Sequence, residues 1–126
     1  MKMIDANIIL RFILGDDKTL AEQAAEIIIN NDCLITNEIA AEVVYVLSKV
    51  YNINRERTAV EMIKVLNLKS IKPVENEVLR YAIKLYGERS LDFADCLLIG
   101  YHSVYGYEIC TFDKKITKIL QDMKLN

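Results

Sequence analysis

The chain is expected to fold as an α/β domain with a parallel sheet covered by helices on both faces. Brief apolar runs, too short for helices, alternate with longer segments whose apolar residues recur at helical spacing. Strands separated in this way by helices form parallel sheets buried on both faces. Composition agrees: 52% hydrophobic and 27% charged residues, with four glycines and one proline, describe a helix-rich globular chain with little disorder.

Met1–Ile4 reads as the first strand, ending at Asp5. Ala6–Leu14 follows as a helix stopped by Gly15, a good residue for the left-handed position past a helix, with Asp16-Asp17 as the turn. This helix is apolar on nearly every side except Asn7 and Arg11, so it is expected to be buried or covered by another chain. Thr19–Asn30 places Leu20, Ala24, Ile27 and Ile28 at helical spacing. Cys33-Leu34-Ile35 is a second strand, and Thr36 or Asn37 can cap the helix carrying Glu42. Asn54 caps a further helix to about Leu66, and Ser70–Val74 is a strand whose Pro73 suits the strand's end. Helices are expected over Asn76–Tyr86 and Leu91–Tyr105, then a strand Glu108–Phe112 and a short last helix. Nothing resembling a repeat or linker interrupts the sequence, so residues 1–126 are read as one domain.

A net charge of −2 argues against a passive nucleic-acid binder, which needs a basic excess. It argues less against a nuclease that brings divalent cations to the phosphate. Cys33, Cys96 and Cys110 are odd in number, widely spaced and embedded in apolar stretches. With no CxxC and His102 as the one histidine, they read as core thiols in a reducing compartment rather than as zinc ligands. No signal-peptide pattern or membrane-length apolar run is seen, so a cytoplasmic location is expected.

Four carboxylates stand at the edge of or inside apolar runs: Asp5, Glu42, Asp95 and Asp113. Acids so placed must be desolvated or paired. Asp5 and Asp113 each follow a strand, at the edge where ligand sites of parallel sheets lie. Ile39, Tyr45 and Val46 flank Glu42 along its helix, and Glu38 adds an acid one turn earlier. Asp95 interrupts the stripe Leu91, Leu98, Ile99 as a mid-helix acid of poor propensity. Asp92 is expected in the first turn after a Ser90 cap. If one cleft gathers all four, each pair about 4 Å apart costs roughly 4 kcal/mol at an effective dielectric near 20. Protonation or hard cations such as Mg²⁺ or Mn²⁺ must relieve that repulsion. Capping or solvated roles are the plain alternative for each acid taken singly.

Asp-Ala-Asn after the first strand, Glu42 in its VVYVL-type helix, LDFADCLL, and TFDKK near the C-terminus together resemble the PIN-domain ribonucleases, and within them the toxins of the VapC type. The resemblance spans essentially the whole chain. It implies a three-layer α/β/α domain with a four- or five-stranded parallel sheet, and Asp5 central in that sheet. It also implies cleavage of single-stranded regions of RNA with one or two Mg²⁺ or Mn²⁺ ions, a homodimer, and a small antitoxin partner. The catalytic and metal-binding quartet would be Asp5, Glu42, Asp95 and Asp113, supported by Asp92, Asn7, Thr111 and Glu38. Arg11, Lys114 and Lys115 lie near enough in sequence to meet substrate phosphates. Two alternatives remain at this stage: a catalytically silent PIN-like interaction module and a DNA nuclease of the flap type. The Tyr101/Tyr105 pair, four residues apart, suggests a contact with another chain or core packing.

Overall fold

In the computed structural model, which describes residues 1–125, three short strands alternate with seven helices. The order is β1 (Lys2–Met3), α1 (Ala6–Leu14), α2 (Lys18–Asn30), β2 (Cys33–Ile35), α3 (Asn37–Lys49) and α4 (Arg55–Leu66). Then come β3 (Ile71–Pro73), α5 (Asn76–Glu88), α6 (Phe93–Tyr105) and α7 (Lys114–Leu125). All strand pairs are parallel in the order β1-β2-β3, with Lys2 opposite Cys33 and Leu34 opposite Lys72. The chain signals its own boundaries. Asp17, Thr36 and Asn54 accept from the third residue on at the starts of α2, α3 and α4. Gly15 and Gly106 end α1 and α6 in the left-handed conformation, at φ 61° and 76°.

Fully buried Ile9, Ile28, Ile35, Leu47, Met62, Leu79, Ile83 and Ile99 join strands and helices into one core. Burial of each such side chain contributes about 1.5–3 kcal/mol. Among the described residues no helix is long and apolar enough to cross a membrane.

The sheet is smaller than the four or five strands expected. Glu108–Phe112 forms no strand, and β2, not β1, is the central strand, so Asp5 follows an edge strand. The residues at either end of this segment are held by local partners instead of strand neighbours. His102 Nδ1–H donates to Tyr107 O at 2.6 Å, and Asp113 N–H donates to Thr111 Oγ1 at 2.9 Å. Its side chains still alternate, with Ile109 and Thr111 half-buried and Phe112 fully exposed.

Two further expectations are corrected. The core stripe of α3 is Ala40, Val43, Val44 and Leu47, which turns Glu42 and Tyr45 to solvent. Glu42 has apolar neighbours, but they flank the stripe rather than form it. Cys33 and Cys96 are core thiols, whereas Cys110 is exposed on the irregular segment. Tyr101 and Tyr105 stack with ring centres 6.2 Å apart, and Tyr105 stacks in turn on Tyr107 at 5.4 Å.

Close packing of α4 against α5 depends on Gly87, where an added Cβ would lie 2.8 Å from Ala59 Cβ. Gly87→Ala gains about 1 kcal/mol of helix propensity but loses about 1–3 kcal/mol to overpacking. Its melting temperature is expected to fall below the parent's, and adding Ala59→Gly is expected to recover part of the loss. Calorimetry of the three proteins checks this.

Candidate active site

The N-terminus of a helix leaves N–H groups without partners and carries partial positive charge, so carboxylates are stabilised there. Asp5 Oδ1 accepts from Ile8 N–H at 3.1 Å and caps α1. Asp113 Oδ1 accepts from Lys115 N–H at 2.8 Å and Ile116 N–H at 3.3 Å where α7 begins. Asp92, rather than Ser90, is the cap residue of α6, and its side chain makes no capping bond. Asp95 then falls in the first turn of α6 instead of mid-helix, because the helix starts at Phe93 rather than Leu91. The local reason for Asp95 that the sequence pattern lacked is therefore the helix dipole.

Asp92, Asp95 and Asp113 line one pocket of about 260 Å³ with Ser90, Leu91, Lys114 and Lys115. Burial, then the negative charges of Asp113 and Asp92, push the Asp95 carboxyl above its ordinary value. A second cavity, of about 580 Å³, shares Asp92 and is lined also by Glu42, Tyr45, Lys49, Arg55 and Phe93. Asp5 lines a separate hollow with Lys2, Ile4, Ile8 and Asn31. The acidic pocket thus brings together Asp95, Asp113 and Asp92. Glu42 lines the neighbouring cavity, and Asp5 lines a different hollow.

The supporting residues divide in the same way. Thr111 fixes the approach to Asp113 through its hydroxyl, while Asn7 is exposed on α1 and Glu38 is exposed in the first turn of α3. Lys114 and Lys115 reach the pocket, whereas Arg11 faces Asp16 at 3.8 Å near the far end of α1. His102 is engaged with Tyr107 O, late in α6. Burial, the largest cause, pushes the Cys96 thiol in α6 up to about 12, so it stays protonated.

Arg55 is the residue that the sequence reading missed. Its Nη1 lies 3.2, 2.9 and 2.7 Å from the carbonyls of Tyr86, Arg89 and Leu91, and its guanidinium stands 4.3 Å over the Tyr86 ring. These bonds tie the end of α5 and the loop before Asp92 to the start of α4. One signal was present: Arg55 is the first residue of a helix, where the dipole disfavours a cation. A cation there calls for a tertiary partner.

Among the described residues, no three Asp, Glu, His or Cys side chains stand close enough to hold a metal ion between them. The pocket's donor set is nonetheless all carboxylate oxygen, which suits Mg²⁺ or Mn²⁺ in kind. Burial is the first cause of the raised Asp95 carboxyl, and a cation would relieve the lesser part that comes from Asp113 and Asp92.

A small parallel α/β sheet with an aspartate pocket beside it is the setting in which the family match falls. The model of the PIN domain family matches residues 2–120, and the chain belongs to that family. A VapC ribonuclease of Aquifex aeolicus (strain VF5) is 27% identical over 124 residues, covering 94% of this chain and 92% of that protein. No solved structure matches the chain significantly.

Two outcomes follow from the site's electrostatics. A carboxyl with a raised folded pKa adds stability below its ordinary value of 3.8, and that stability is lost as pH rises through the folded pKa. In EDTA, Asp95→Asn is therefore expected to melt above the parent near neutral pH, with the gap closing in acid. Thermal melts across that range check it. Arg55→Ala leaves three carbonyls without their cationic donor and is expected to cost about 1.5–3 kcal/mol in urea unfolding.

Proposed function

We propose that this chain is a divalent-metal-dependent endoribonuclease that cuts single-stranded regions of RNA with water as the nucleophile. We further propose that it is the toxin of a toxin–antitoxin pair, working as a homodimer restrained by a small antitoxin. One observation carries the catalytic reading: three aspartates face one pocket at the N-termini of α6 and α7, beside two lysines. Membership of the PIN family and the ribonuclease named among its relatives support the substrate.

In this reading two of Asp92, Asp95 and Asp113 would ligate the ion directly and the third through water, and Asp5 and Glu42 join them on the resemblance alone. When bound, the ion would supply the positive charge that activates water near neutral pH and stabilises the leaving oxygen. The chain's own groups bind and orient. Lys114 and Lys115 draw the phosphate in, and the N–H groups at the start of α6, left uncapped by the Asp92 side chain, favour an anion beside them. Asp113 is held still by its two backbone bonds, which leaves its Oδ2 for the pocket. A cyclic-phosphate route needs an acid/base pair, and His102, the one histidine, already donates to a carbonyl. The expected products carry a 5′-phosphate and a 3′-hydroxyl.

Digestion of a structured RNA pool in Mn²⁺ and in EDTA, with mapping of the new ends, tests the reading. Asp95→Asn and Asp113→Asn are expected to lower cleavage by more than about a hundredfold, the upper end for outer partners of metal ligands. Asp5→Asn is expected to abolish cleavage with stability unchanged, because Asn caps a helix as well as Asp. Normal cutting by that variant would remove Asp5 from the mechanism.

A further inference from the structure

The cavity that shares Asp92 with the acidic pocket has no part in the chemistry described so far. Its inner wall includes Tyr86 and Phe93, which are nearly fully buried and meet edge to face with ring centres 5.9 Å apart. Its outer wall is Tyr45, on the solvent side of α3 and 62% exposed. Core packing explains the first two rings and leaves the third unexplained. Ser48 and Lys49 follow within the next turn on the same cavity, and Glu42 lies one turn before. Arg55 already spends its Nη1 on three carbonyls, so it is a fixed part of the wall.

An aromatic face flanked by a hydroxyl, a cation and a carboxylate suits a flat molecule with hydrogen-bonding edges. At about 580 Å³ the cavity lies within the range of small-molecule sites. It shares one lining residue, Asp92, with the acidic pocket, so a ligand here lies next to whatever stands against Asp95 and Asp113. We propose that this cavity is a nucleobase subsite. It takes the base next to the scissile phosphate, stacked on Tyr45, with that phosphate directed to the aspartate pocket. The proposal rests on the ribonuclease reading and deepens it. A base can enter only when it is out of its helical stack, so the cavity itself would confine cutting to single-stranded RNA.

The test compares the parent with Tyr45→Ala and Tyr45→Phe, in a position too exposed to threaten folding. Short single-stranded RNAs that differ only in the base beside the cut are cleaved in Mn²⁺. Separately, adenosine and uridine 5′-monophosphates are titrated in EDTA while the Tyr45 ring signals are followed by NMR. Tyr45→Ala is expected to raise KM about tenfold with kcat little changed, the effect of one lost base–aromatic stack. It is also expected to flatten the preference for the neighbouring base, whereas Tyr45→Phe keeps both. Parent cleavage with unchanged KM and the same cut sites in Tyr45→Ala overturns the subsite and leaves the ribonuclease standing. Shifts of the Tyr45 ring with a mononucleotide, in a parent that cuts no RNA, overturn the ribonuclease and keep a nucleotide site. Neither cleavage nor shifts overturns both.

Discussion

Asp92, Asp95 and Asp113 repel one another, and the surrounding fold keeps them in one pocket all the same. Two helix starts supply part of the compensation. α6 begins at the first two acids and α7 at the third, so partial positive charge from both is directed at the carboxylates. Lys114 and Lys115 supply more, at the pocket's rim. Burial first, and then what remains of the repulsion, raise the Asp95 carboxyl. A pocket in that condition attracts cations, and it makes the free chain less stable than it would be without the charges.

Holding such a pocket open requires a rigid frame, and it comes from close contacts between α4, α5 and α6. Gly87 lets α5 approach Ala59 of α4, and Gly100 lets α6 approach Val78 of α5, where an added Cβ would meet a backbone oxygen at 3.0 Å. Arg55 then fastens the loop between α5 and α6 from the side. The acids are therefore placed by helices, while the sheet contributes chiefly to the core beneath. The same Arg55 and the same loop wall the cavity beside the pocket, so the two spaces are set by one set of contacts.

Local signals made most of the architecture legible. Caps at Thr36 or Asn37 and at Asn54, the stop at Gly15, and apolar spacing placed α1 to α6 to within a few residues, because helix ends are decided by neighbours in sequence, whereas the last helix was read without bounds and as short. Strands were harder, since pairing depends on a distant partner. β1 to β3 were found, but Glu108–Phe112, with the β-prone residues of a strand, has no neighbour to pair with among the described residues. Glu42 shows the same limit within a helix: apolar neighbours in sequence say nothing about which of two adjacent faces turns inward.

Sequence by itself determined the α/β class, the existence and order of the helices and the unusual acids, because these rest on spacing, caps and charge, all local quantities. Only the tertiary structure decided which acids meet. It joined Asp92 to Asp95 and Asp113, placed Asp5 at the cap of α1 on a different hollow, and turned Glu42 and Tyr45 outward onto a neighbouring cavity. It also gave Arg55 its role, through carbonyls 31 to 36 residues away. Such contacts depend on how helices pack against one another, and no stretch of chain records that alone.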